Sequence, residues 1–165
     1  MESRAKFLGH PVHQMLIPLP AGLFVVAALL DVVDIFVEAA WIPTVTFWNI
    51  GLGIVSALLA AVFGLVDWSN IPRFTRARRV GAIHGLGNVV AVALFAGALW
   101  LRYDNLDHRT GTISLALEIV AFGLLGVTAW LGGELVDRLG IGVDDGANVD
   151  APSSLRTKHV PVAPG

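Results

Sequence analysis

Five side chains of this sequence could bind a metal ion or a haem, and all five are histidines or carboxylates. They are His10, His13, Asp67, His84 and Glu134. The chain contains no cysteine, which excludes thiolate zinc sites, iron–sulfur clusters and covalently attached haem. Imidazole and carboxylate are suitable ligands for zinc, iron and manganese, and a pair of imidazoles suits haem iron. Either site requires a fold that brings these side chains together.

The composition predicts that this fold forms in a lipid bilayer. Hydrophobic residues make up 55% of the chain and charged residues only 15%, and the mean hydropathy is +0.72. An ordinary soluble domain carries about 25% charged residues. A water-soluble domain of this size could not bury so much apolar surface, so we expect an integral membrane protein.

Four apolar segments are long enough to cross a bilayer. They are residues 16–36, 47–68, 80–101 and 113–135. About 20 helical residues span the hydrocarbon core, because a helix rises about 1.5 Å per residue and the core is about 30 Å thick. Short loops join consecutive segments, which predicts an all-α bundle with up-down-up-down topology. Two early prolines place the start of the first helix near Pro18, after an extended or turn segment at residues 10–15.

Basic residues are distributed unevenly between the two ends of the predicted bundle. Of the 11 lysines and arginines, only Arg102 and Arg109 lie in the first and third loops. The positive-inside rule therefore places both termini in the cytoplasm, with the spans in the plasma (inner) membrane. We expect a cytoplasmic N-terminal segment at residues 1–15, a transmembrane domain at 16–135 and a flexible cytoplasmic tail at 136–165.

This topology places the candidate ligands at one depth, in the cytoplasmic leaflet. His13 begins the first span and Asp67 ends the second; His84 lies in the first turns of the third and Glu134 ends the fourth. Asn88 shares a helix face with His84, because the two are four residues apart. Each half thus pairs a histidine with an acid, which is a faint internal repeat. In a four-helix ring the two histidines would face each other across the bundle.

Haem-linked electron transfer is the leading interpretation of this set. His13 and His84 would be the axial ligands of haem b, and Asn88, Asp67 and Glu134 would fix the orientation of the imidazoles. His10 is a further candidate cofactor-binding residue. Three arginines of the second loop could pair with the haem propionates, namely Arg76, Arg78 and Arg79.

Two other interpretations stay open. A divalent transition metal or a proton-handling site would use the histidines together with Asp67 and Glu134, and His10 would be an extra ligand. Alternatively the chain binds no cofactor and is a non-catalytic scaffold or assembly subunit, in which these groups form interhelical hydrogen bonds worth about 0.6 kcal/mol each. The sequence does not decide whether the protein is an enzyme. The expected partners are the bilayer and a redox partner or a second copy of the chain, and not nucleic acid.

A second polar set lies toward the opposite end of the bundle and consists of Asp31, Asp34 and Glu118. Converging carboxylates at membrane depth would carry a cation or protons. Asp34 and Glu118 lie close to the outer interface, however, so we expect them to be ordinary solvated residues. Arg102 is assigned to the third loop.

Several motifs resemble those of the predicted prokaryotic membrane proteins grouped as domain of unknown function 2231. The motifs are GHPVH at 9–13, MLIPLPAGL at 15–23, GLVD at 64–67, AIH at 82–84 and WLGGEL at 130–135. The similarity covers about residues 8–143. One departure is Gln14, because the family opening often has a second proline there. The resemblance implies a four-helix membrane protein and supplies no established reaction.

Overall fold

A computed structural model describes residues 1–105 and 107–155 of the chain. Its elements are β1 (Lys6–Phe7), β2 (His10–Pro11), α1 (Val12–Leu16), α2 (Pro18–Val37), α3 (Ile42–Asn70), α4 (Arg76–Tyr103), α5 (Thr112–Gly133) and a π-helical turn (Glu134–Arg138). The two short strands pair antiparallel and form a small ribbon ahead of the helices. The four long helices form the body of the protein.

Among the described residues, four helical segments are long and apolar enough to cross a membrane. They are Val12–Val37, Ile42–Asn70, Arg76–Tyr103 and Thr112–Arg138. Each contains the segment that the sequence predicts, so the all-helical fold with four candidate spans is confirmed. Large apolar side chains are exposed along the outside of the helices, as on Phe36 and Trp100. Such a continuous apolar exterior is what lipid contact requires.

The chain just before the first span differs in part from the predicted extended or turn segment, because only His10–Pro11 is extended. α1 makes one helical turn at Val12–Leu16, and Ile17 is also helical, with φ −52° and ψ −41°. Pro18 begins α2, where the missing amide donor costs little. His13 therefore lies on a helix, whereas His10 lies on the ribbon.

The core is built where the two helical hairpins meet. α2 packs with α3, α4 packs with α5, and α3 also packs against α4. Phe24 of α2 and Phe95 of α4 stack across the bundle with their ring centroids 4.1 Å apart. A Cβ on Gly53 of α3 would lie 2.7 Å from the Phe24 ring, so this glycine leaves the space that the ring occupies.

The stacked phenylalanines separate two polar regions along the bundle. His84 precedes Phe95 on α4, and His13 lies on α1, just before the helix that carries Phe24. Asp31 follows Phe24 on α2, and Arg102 follows Phe95 on α4. We call the first region the histidine end and the second the arginine end.

The segment predicted to be a flexible tail contacts the N-terminus over its described part. The π-helical turn prolongs α5 through Arg138. Beyond it, the amino group of Met1 donates to the Gly140 carbonyl at 2.9 Å, and the Gly142 amide donates back to the Met1 carbonyl at 2.9 Å. Residues 156–165, which include the last two basic residues of the orientation argument, lie outside the described residues.

Candidate functional site

His13 packs its imidazole against α3. Its Nδ1 lies 2.8 Å from the carbonyl oxygen of Ala60. A carbonyl only accepts hydrogen bonds, so we assign the proton to Nδ1, which donates. A Cβ on Gly64 would lie 2.7 Å from Cε1 of the ring. The glycine therefore lets the imidazole lie directly against the helix backbone.

His84 repeats this arrangement in the second hairpin. Its Nδ1 lies 2.8 Å from the carbonyl oxygen of Thr128 on α5. A Cβ on Gly132 would lie 3.3 Å from Cε1 of the ring. Both histidines are half-buried. The predicted placement of the two histidines at one end of the bundle is consistent with this geometry.

The internal repeat is therefore more regular in the structure than in the sequence. Each histidine belongs to the first helical arm of a hairpin and donates to a carbonyl of the second, Ala60 or Thr128. In each case the glycine under the ring follows that carbonyl by one helical turn, at Gly64 or Gly132. Two small residues four apart would have been the sequence signal, because this spacing lets a neighbouring group approach the helix closely. The repeat predicted from the sequence instead pairs each histidine with an acid, Asp67 or Glu134.

The second ring nitrogen of His84 has a partner on its own helix. Nε2 lies 3.2 Å from Nδ2 of Asn88, and this amide also donates to the His84 carbonyl at 2.9 Å. Oδ1 of Asn88 accepts a hydrogen bond from the Thr128 hydroxyl at 3.0 Å. Because Nδ1 holds the ring proton, Nε2 carries the lone pair, as it does in His13. Asn88 thus contacts His84 as the spacing predicts.

The two carboxylates expected beside the histidines have other partners. Asp67 accepts a hydrogen bond of 2.6 Å from the hydroxyl of Ser3. Glu134 forms an ion pair with Arg76, with an N–O distance of 2.5 Å. The first contact ties the N-terminal segment to α3, and the second ties the start of α4 to the end of α5.

His10 also lies away from the paired histidines. It is exposed on β2, and its Nε2 is 3.3 Å from the hydroxyl oxygen of Ser154. Within residues 1–105 and 107–155, no three histidine or carboxylate side chains are grouped so that they could hold a metal ion. The structure therefore places Asn88 against His84 and His13 at the same end of the bundle, but among the described residues it does not bring together the five-residue metal set.

Two of the loop arginines expected near a haem propionate are already engaged. Arg76 pairs with Glu134, as described above. Arg78 donates to the carbonyl of Ile71 at 2.8 Å and lies 4.1 Å from the centre of the Trp68 ring, which closes the end of α3. Arg79 is exposed and lines an open groove of about 470 Å³.

The arginine end holds a buried charged cluster that sequence analysis missed. Arg102 lies in α4 rather than in a loop, and it is 0% exposed. Its Nη2 donates to Asp31 at 2.6 Å and also to Glu118. The expectation that Glu118 and Asp34 are solvated is wrong, because they are 0% and 7% exposed. The sequence contained a signal for this cluster. Buried carboxylates need a cation, and Arg102 lies at the same depth as Asp31 and Glu118.

These observations describe a four-span bundle with paired histidines at one end. A family profile matches residues 9–145 of the chain. The chain belongs to the family described as predicted membrane protein (DUF2231). The match covers both hairpins and confirms the resemblance seen in the sequence motifs. Membership in DUF2231 supplies no reaction, so the function has to be argued from the geometry. Comparison with curated proteins and with solved structures gives no match.

Proposed function

We propose that this DUF2231 protein binds haem b between His13 and His84 and transfers electrons in the membrane. The observation that supports the proposal best is the shared hydrogen bond from Nδ1 to a backbone carbonyl, 2.8 Å long in both residues. Metal-ligating histidines almost always donate their second ring N–H to such an acceptor, which fixes the tautomer and the ring orientation. In both residues this leaves Nε2 as the ligating nitrogen.

The surroundings of the two rings also favour ligation. Gly64 and Gly132 let both imidazoles lie against a helix, where they cannot rotate freely. The Asn88 amide contacts Nε2 of His84 at 3.2 Å. A bond from Nε2 to haem iron would replace this contact. The amide has two N–H groups, so its bond to the His84 carbonyl would remain.

The bound haem would supply one-electron redox chemistry, and this chain would orient it. Bis-imidazole ligation leaves no open iron position, so electron transfer is favoured over oxygen chemistry. Of the three loop arginines considered for the propionates, Arg79 is exposed and is not engaged as Arg76 and Arg78 are, so it would be the one to pair with a propionate.

An absorbance spectrum tests the proposal directly. The full chain is expressed with haem supplied, purified in detergent and examined for a Soret band. We expect the band in the wild type and in His10→Ala, the matched control, because His10 lies outside the pair. His13→Ala and His84→Ala should each lose most of the haem. A folded wild type without a Soret band would contradict the haem proposal.

A non-catalytic scaffold is the second candidate, and one observation favours it. Asp67 and Glu134 each have a protein partner already, so they serve to join segments of the chain. Elemental analysis of the same purified protein distinguishes the candidates. Stoichiometric metal without a Soret band, lost in His84→Ala, would indicate a non-haem site. Neither haem nor metal in folded protein would favour the scaffold.

We infer that the histidine end faces the cytoplasm of the plasma membrane. The basic residues of the N-terminal segment and of the loop between α3 and α4 lie at this end. Arg102 is buried and paired with acids, so it is not a surface charge at the arginine end. The difference in basic residues between the two ends is therefore larger than the sequence count indicates. Arg109 is then the basic residue left at the opposite surface among the described residues.

A further inference from the structure

The buried cluster at the arginine end contains more acids than cations. Asp31 and Glu118 both contact the same nitrogen, Nη2 of Arg102. All three side chains are at most 1% exposed. If every group were ionised, the triad would carry one uncompensated negative charge in the buried core. A buried charge without a partner is so costly that the group neutralises instead.

The surrounding charges do not compensate the excess. Arg109, in the loop between α4 and α5, pairs with Asp34 at 3.6 Å and with Asp107 at 3.3 Å, so this arginine already has two acids. His108, in the same loop, faces the Arg102 carbonyl through Nδ1 at 3.3 Å and stacks on Phe47.

The remaining groups around the triad are neutral. The hydroxyl oxygens of Thr110 and Ser114 lie 2.7 Å and 3.0 Å from Arg102 Nη2. With Arg109 assigned to Asp34, the described groups leave the triad one positive charge short.

The positions of the two carboxyl groups also indicate that the triad lacks one positive charge. Asp31 and Glu118 approach each other because both contact the same nitrogen, Nη2 of Arg102. Two ionised carboxylates that share one site repel each other, which favours a proton on one of them. Glu118 Oε2 is fully buried and has no hydrogen-bond partner in the described part of the chain, which an ionised carboxylate would tolerate poorly.

We propose that Asp31 and Glu118 together bind one proton at neutral pH, so that the triad with Arg102 is electrically neutral. Binding forms one O–H bond on the carboxyl pair and breaks one O–H bond of a hydronium ion of the solvent, which becomes water. The arginine end is thus a proton-binding site, separated from the paired histidines by the stacked phenylalanines. This inference does not depend on haem binding, because it concerns other residues at the opposite end of the bundle.

Infrared spectroscopy of the full chain tests the proposal without any substitution. The protein is studied at neutral pH in a detergent that has no ester carbonyl, in H₂O and in D₂O. We expect the carbonyl stretch of a protonated carboxylic acid, shifted by deuterium and by ¹³C labelling of Asp or Glu side chains. Absence of such a band, or a band insensitive to both labels, would overturn the proposal.

Substitutions then assign the band to the triad. Glu118→Gln and Asp31→Asn each remove one acid and leave a single carboxylate with Arg102, so both should abolish the band. Glu38→Gln is the matched control, because Glu38 is an exposed acid at the end of α2, and it should leave the band intact. A band that persists in both folded triad variants would overturn the proposal, and if neither variant folds, the labelled wild type decides.

Discussion

The ring of His13 lies directly against Gly64, with Cε1 only 2.7 Å from the place where a Cβ would stand. An alanine at this position must therefore push the imidazole away from α3 and break its bond to the Ala60 carbonyl. We expect Gly64→Ala to destabilise the protein by about 1–3 kcal/mol, as overpacking does, and to weaken any ligation by His13. Thermal unfolding in detergent and haem titration measure the two effects.

Gly51→Ala is the matched control on the same helix. A Cβ on Gly51 would meet no atom within 4 Å, and alanine favours a helix over glycine by roughly 0.5–1 kcal/mol. This variant should be at least as stable as the wild type. Equal effects of the two substitutions would show that His13 does not pack on Gly64.

The corresponding change in the second hairpin should be milder. A Cβ on Gly132 would lie 3.3 Å from the His84 ring, a distance that a small shift can relieve. We therefore expect Gly132→Ala to lower the melting temperature less than Gly64→Ala does. Gly126→Ala, where nothing lies within 4 Å, is the control on α5. A larger loss from Gly132→Ala than from Gly64→Ala would contradict the geometry described here.

Removing the buried cation should be far more damaging than removing an exposed one. Arg102→Met leaves Asp31 and Glu118 facing each other in the core without a positive charge, and breaking a buried pair in this way costs about 3–5 kcal/mol. Arg109→Met removes an exposed cation that lies 3.6 Å from the buried Asp34, and this longer, single contact should make it less damaging than Arg102→Met. Melting temperatures of both variants in the same detergent provide the measurement. Similar values would argue against a charged Arg102 triad.

The ribbon at the N-terminus should contribute a pH-dependent contact. A hydrogen bond from Lys6, together with the Asp145 amide, lowers the pKa of Glu2 below its ordinary value of 4.5. The same contact to Glu2 raises the pKa of Lys6 above 10.5. The contact between Glu2 and Lys6 therefore gives its full stabilisation between pH 4.5 and pH 10.5, the ordinary pKa values of the two groups. It is lost as pH falls through the lowered pKa of Glu2, or rises through the raised pKa of Lys6.

Carboxyl NMR of Glu2 checks this assignment. In Lys6→Ala the pKa of Glu2 should move up toward 4.5, whereas in Arg4→Ala, a neighbouring exposed cation, it should not change. An unchanged Glu2 titration in Lys6→Ala would show that the contact is absent in solution.

The inferred orientation can be tested independently of any site. A reporter fused after Arg138 should register in the cytoplasm, because the basic residues of the histidine end remain inside. A fusion in the loop that contains Arg109 should register outside. The opposite pattern would reverse the bundle and place the paired histidines at the outer face.

The sequence by itself determined the number of candidate spans, their approximate limits and the family. These features depend on long runs of apolar residues and on local motifs, which any antiparallel arrangement of the helices preserves. It also placed His13 and His84 at one end, because short loops force consecutive helices to alternate in direction.

Only the tertiary structure decided which side chains are partners. Asp67 and Glu134 lie at the predicted end but bond to Ser3 and Arg76, since rotation of each helix about its axis is set by packing and not by depth. Arg102 looked like a loop residue because a charged group near a span end normally reaches water. Its burial became evident only when α2 and α5 were seen to bring Asp31 and Glu118 against it.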